Sequence, residues 1–380
     1  MPPGGRRTAC TSPSPSCCSC ARRVCSAARS CRGHDMVITN PTSLIKTDRR
    51  SSFGGGAGRV LARFDVIVVA VVVGVAVSFA QGNIQFLAAT VAIYGLFAMA
   101  TNMLVGWLGI VTFGAAAYFG AGAYFVALMR EFEIAPPLLI LLAGLVGAVL
   151  ALLFSAITIR VNGIALTMLT LVFGQILYQL LFSFSFLGGD DGIPGVPSGQ
   201  LLGLRLARPE DFWIYAIVIV TLCVLLLKVV YRSSFGRSVL AVHDDPLRAD
   251  SLGIPLKSTR VKVFVLAGFF SAIAGGLLAQ QQGIVTSENL YWMTSGQVLI
   301  MCLIGGSGRF WGPLIGAAIL LVLESQLFRG ISYSALFVGL ILLAVVMFFR
   351  GGVAGLPAQI RGWVHWFADR RDAKAKEGRS

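Results

Sequence analysis

Apolar runs about as long as a bilayer is thick recur along almost the whole sequence, and they constrain the fold more than any motif does. They lie near 64–81, 84–106, 112–129, 136–157, 163–187, 212–231, 262–282, 293–308, 313–328 and 332–349. About 20 apolar residues span a hydrocarbon core as a helix. With no water there, backbone amides and carbonyls must pair within the segment, which leaves helices as the natural solution. The expected fold is therefore an all-α polytopic membrane protein with about ten hydrophobic segments, eight to ten of them crossing. Segments 293–308 and 313–328 are short, so broken or re-entrant helices are expected there. Only 13% of the 380 residues are charged, about half the usual share of a soluble domain.

The net charge of +14 looks like a signal for nucleic acid until its distribution is read. Residues 1–63 hold 11 Lys and Arg against 2 acids, residues 350–380 hold 7 against 3, and residues 232–262 hold 6 against 3. Basic residues gathered in tails and one loop are what cytoplasmic orientation requires. No nucleic-acid motif or aromatic-interleaved basic patch accompanies them, so nucleic acid is excluded as a partner. With the N-terminus inside and ten crossings, 21 basic residues from Lys46 onward fall inside and 4 outside. Both termini and the loop at 232–261 are then cytoplasmic.

Of the 8 cysteines, Cys10, Cys17, Cys18, Cys20, Cys25 and Cys31 crowd the start, while Cys223 and Cys302 sit in apolar segments. Cys17 and Cys20 with Cys25, Cys31 and His34 supply zinc-ligand types. A lone Cys-x-x-Cys in a Ser- and Arg-rich run is weak grounds for a metal site. Residues 1–59 read instead as a disordered leader, or as sequence upstream of a start at Met36. The main domain is 60–350, followed by a basic tail at 351–380. Residues 1–35 lack the apolar periodicity needed to offset ordering entropy, so a chain starting at Met36 is expected to insert and transport normally.

The polar loop carries unusually clean local signals. Asp245 suits an N-cap and Pro246 the first helical position, where a missing N–H costs nothing. Residues 247–252 add under two turns. Gly253 fits the left-handed position past a helix end, Ile254 the accompanying apolar contact, and Pro255 blocks continuation. A capping box is absent, because its third position is Arg248. The preceding stretch GRSVLAV (236–242) reads as a continuation of the span above it. So short a helix needs a partner surface, since nucleation is costly and few bonds follow.

The stretch SSFGRSVLAVHDDPLRADSLGI (233–254) resembles the cytoplasmic coupling loop of branched-chain amino-acid ABC transporter permeases. Four further stretches resemble the same family in the same order: NMLVGWLGIVTFGAAAYFGAGAY (102–124), GGDDGIPGVP (188–197), KVFVLAGFFSAIAGGLLA (262–279) and IGGSGRFWGPLIGAAIL (304–320). The resemblance covers about residues 60–350. It implies the high-affinity type of permease subunit, in a type II-like importer architecture in the bacterial inner membrane. Its partners would be a second homologous permease, two cytoplasmic ATPase subunits and an external solute-binding protein. Asp244, Asp245, Pro246, Leu247, Arg248, Asp250, Leu252 and Gly253 would then form the helix that couples to an ATPase. Gly114-Ala115 stands where the family commonly has Gly-His, and Ser295-Gly296-Gln297 where an acid often follows Ser. These departures bear on cargo, with urea or short amides as the alternative to amino acids.

Other chemistries lack their residues. No GxxxxGK[ST] phosphate loop occurs, so ATP hydrolysis belongs to other subunits and this chain is not expected to be an enzyme or to carry a cofactor. His34, His243 and His365 all fall outside the apolar segments. Asp190-Asp191 before Gly-Ile-Pro reads as a turn, not a calcium site. A channel or secondary transporter would show a filter, inverted repeats or mid-depth acids, and none is apparent. Asn102, Gln175, Gln179, Glu324 and Gln326 are among the few polar residues within spans. The cargo path is expected along the glycine-rich spans 112–129 and 262–282, at the interface with the partner permease. Asn102, Gly114, Gly120, Gly122 and Gln175 would touch the solute weakly, leaving selectivity to the binding protein.

Overall fold

The computed structural model describes residues 82–327, apart from 133–134, 159, 162, 185–187, 190, 197–199, 202–203 and 206–207, together with residue 339. The leader, the tail, segment 64–81 and all but one residue of segment 332–349 lie outside the described residues.

Ten helices follow one another among the described residues. They are α1 (Gly82–Asn102), α2 (Ala115–Leu128), α3 (Pro136–Thr158), α4 (Ile164–Ser183), α5 (Pro209–Arg232), α6 (Ser234–Asp244), α7 (Pro246–Ser251), α8 (Leu256–Gln282), α9 (Trp292–Gly305) and α10 (Gly312–Val322). Five are long and apolar enough to cross a membrane: α1 with its extension to Trp107, α3, α4, α5 and α8. The chain is a polytopic helical membrane protein. Two minimal ladders qualify the all-helical expectation. Ile193–Pro194 (β1) pairs antiparallel with Ile284–Val285 (β4), and Gln200–Leu201 (β2) pairs with Leu204–Arg205 (β3).

Helix α8 forms the centre, packing on α3, α2 and α1. Its apolar window is 72% buried, against 17% for α4, which makes α4 peripheral. Small residues explain the close packing around α8. A Cβ on Gly122 would collide with the backbone of Ala272, and one on Gly275 with the carbonyl of Phe119. Without a strong hydrophobic drive between helices in lipid, such close approach is what holds them together. Phe97 and Phe119, both fully buried, stack at 4.4 Å between ring centroids and tie α1 to α2.

Several expected boundaries shift. The span at 112–129 contains only the 14-residue α2, because Leu108 to Gly114 are irregular and α1 ends in a π turn at Met103–Trp107. At 14 and 11 residues, α9 and α10 fall short of the roughly 20 that span a bilayer, although a π turn at Leu323–Leu327 carries α10 on to the edge of the described residues. The stretch 236–242 does not continue the span above. Ser233 turns extended (φ −70°, ψ 171°) and its hydroxyl accepts the amide of Gly236, starting α6 as a separate helix. At the other end of the loop, α8 begins at Leu256, so residues 256–261 belong to a spanning helix. The exposed Glu324 carboxylate accepts through Oε2 from Gln297 Nε2 at 3.2 Å.

Candidate functional site

Helix α7 is the best-defined local structure in the polar loop. The Asp245 carboxylate accepts the amides of Leu247 and Arg248, each at 3.1 Å, and so serves two of the orphan donors of the first turn. Its other oxygen lies 2.9 Å from Arg248 Nε. At the far end Gly253 takes φ +80°. The amide of Gly253 then donates to the Asp250 carbonyl at 2.9 Å and that of Ile254 to Ala249 at 3.0 Å, a Schellman closure.

The two faces of α7 differ sharply. Ala249 is 1% exposed and Ile254 packs against the main core, so one face is anchored. Leu247 and Leu252 are 82% and 79% exposed, and with Arg248 and Ser251 they line a shallow open depression. Asp244, Pro246 and Asp250 are at least partly exposed beside them. A capped, anchored helix that holds two leucines into open space has the form of a docking surface.

The residues expected along a cargo path do not share one wall. Asn102, 1% exposed, donates through Nδ2 to the Arg309 carbonyl at 3.4 Å and ties the end of α1 to the turn between α9 and α10. Gly114 begins α2 against the Thr170 carbonyl of α4, and Gly174 lies close to Gly114. Gln175, next in α4, is half-buried. Those two regions are together. Gly120 instead lies under Leu290, and Gly122 faces the seam with α8. Both glycines are filled from the neighbouring element.

Two arrangements, one polar and one aromatic, escaped the sequence reading. Ser295 on α9 accepts the amide of Ala116 at 2.8 Å and so caps α2, whose own N-cap, Gly114, has no side chain to do so. Trp107, Tyr231 and Phe310 form an aromatic cluster, with Trp107 and Tyr231 4.8 Å apart between ring centroids. No group of three or more His, Cys, Asp or Glu residues that would hold a metal occurs among the described residues.

Comparison with known proteins bears on this architecture. The chain is 28% identical over 285 residues to the high-affinity branched-chain amino acid transport system permease protein LivM of Salmonella typhimurium (strain LT2), covering 68% of this chain and 67% of that protein. To LivM of Escherichia coli (strain K12) it is 28% identical over 273 residues, 65% of this chain and 64% of that protein. The chain thus spans about two thirds of the length of these relatives. To the permease protein LivH of Salmonella typhimurium it is 25% identical over 288 residues, 70% of this chain and 92% of that one. No solved structure matches. The family model described as the permease component of branched-chain amino acid transport systems matches residues 83–348, from the start of α1 to beyond α10, and the chain belongs to that family.

Proposed function

We propose that this chain is one of two homologous membrane subunits of an ABC importer in a bacterial inner membrane, moving branched-chain or related amino acids. Two cytoplasmic ATPase subunits drive it, and an external solute-binding protein delivers the cargo. Both termini and the loop carrying α6 and α7 face the cytoplasm, in keeping with the basic residues concentrated there. In this reading α7 is the surface an ATPase subunit grips. The observation that carries it is the pair Leu247 and Leu252, held outward by a helix capped at both ends and anchored through Ala249. Caps and anchor together let so short a helix act as a rigid contact, which it would not be alone.

Cargo passes between this subunit and the second permease, along the side where Gly114 meets α4 and where half-buried Gln175 lies one residue beyond Gly174. The charged ends of an amino acid need paired groups to be held in a membrane. The described spans offer backbone and amide groups there, suited to brief contact.

Leu247→Asp combined with Leu252→Asp tests the docking role, because a carboxylate at each position removes the apolar contact while leaving the caps intact. In the assembled transporter this variant is expected to lose ATPase-subunit co-purification and leucine uptake together. Retention of both at the parental level overturns the assignment of α7.

A further inference from the structure

Three interruptions of otherwise long helices meet at one place. They are the π turn Met103–Trp107 with the irregular Leu108 to Gly114, the break at Ser233 between α5 and α6, and the turn between α9 and α10. The Trp107 ring lies 4.8 Å from Tyr231 and 6.5 Å from Phe310, and those two lie 5.7 Å apart. Tyr231 lies in the last turn of α5 just before the break, so its ring sits where the polar loop begins. Two residues beyond Trp107, Gly109 takes φ +72° with the His243 ring of α6 against it, leaving no room for a Cβ. The end of α5 and the polar loop therefore bear on the α1–α2 connection at two points only two residues apart in sequence.

We infer that Trp107 is a positioning residue for the coupling step, and that the connection 103–114 is the joint through which motion of the α6–α7 loop reaches the membrane interior. The inference rests on α7 being the ATPase contact. A π turn has already given up the regular hydrogen-bond ladder, and here the amide of Ile110 reaches back to the Leu104 carbonyl at 2.9 Å. Such a segment is cheaper to reshape than the helices on either side of it. Met103 and Leu104 are as deeply buried as Leu96 and Phe97 of α1, but from Leu108 to Gly114 the chain has no helical ladder, so a push on the cluster is taken up there. The connection leads into the start of α2, which is held by the Ser295 hydroxyl and lies against α4 near Gly174. Displacing that start moves α2 against α4, on the side where the cargo path has been placed. The aromatic contact passes the push and His243 on Gly109 keeps it in register.

The test uses the complete transporter in proteoliposomes with its binding protein. Four quantities are read: ATPase-subunit co-purification, basal ATP hydrolysis, hydrolysis stimulated by the loaded binding protein, and leucine taken up per ATP. Trp107→Ala is expected to keep the ATPase subunits bound and basal hydrolysis near the parental level. Uptake per ATP falls about tenfold or more, the range of ordinary coupling energies. Trp107→Phe, which keeps a ring against Tyr231, recovers uptake per ATP to within about twofold on the same scale. Gly109→Ala, which displaces His243 and strains the left-handed backbone of the connection while leaving the three aromatic side chains in place, repeats the Trp107→Ala pattern. Unchanged uptake per ATP in both Trp107→Ala and Gly109→Ala overturns the inference. So does an equal loss of folded subunit in Trp107→Ala and Trp107→Phe with Gly109→Ala unaffected, since that marks packing alone. The ATPase contact fails separately, through retained ATPase association in the Leu247→Asp, Leu252→Asp variant.

Discussion

Across the end of α7 the amide of Ile254 donates to the carbonyl of Ala249 at 3.0 Å, a bond that exists because Gly253 between them turns left-handed. Nothing lies within 4 Å of where a Cβ on Gly253 would stand, so the restraint there is conformational and not steric crowding. Gly253→Val is therefore expected to abolish transport, because a β-branched residue resists that backbone by about 1–3 kcal/mol. Gly253→Asn keeps most activity, since Asn tolerates the same backbone. Leucine uptake in cells with matched subunit levels separates the two.

Asp245 supports α7 from its other end. Asp245→Ala removes an acceptor shared by two amides and is expected to cost about 1 kcal/mol of local helix stability. Asp245→Asn retains the acceptor oxygen and most of the function. Arg248→Ala has little effect on stability, as an ion pair this exposed contributes at most about 1 kcal/mol. ATPase-subunit affinity, measured by co-purification at rising salt, ranks the three.

At the centre of the bundle, Gly122→Val is expected to lower folded yield and thermal stability, because a side chain there meets the backbone of Ala272. Overpacking of this kind costs about 1–3 kcal/mol. Gly296→Ala, where nothing stands within 4 Å, leaves both unchanged. Monodispersity and melting in detergent read the difference.

The purified permease pair, titrated with leucine, isoleucine, valine and urea without the binding protein, is expected to show no submicromolar affinity for any of them. Calorimetry measures this directly. Tight binding of one solute that is lost on Gln175→Leu contradicts a weakly held pathway.

The helical, membrane-spanning class and the caps of α7 could both be read from the chain, because they depend on neighbouring residues. An apolar run declares its own length, and Asp245, Pro246 and Gly253 act on backbone groups within four positions of themselves. The break at Ser233 had a local cue as well, a serine three residues before the amide it accepts, but the helical pattern on either side masked it. The roles of the glycines could not be read locally. Gly122 and Gly253 are the same residue type, yet one makes room for a neighbouring helix and the other supplies a left-handed turn. Nor does anything in the chain announce that residues 107, 231 and 310 share a cluster, or that the Ser295 hydroxyl caps a helix 179 positions away. Those contacts arise only when the helices that carry them pack together, since close packing joins groups by distance in space and local sequence chemistry reaches only a few residues along the chain.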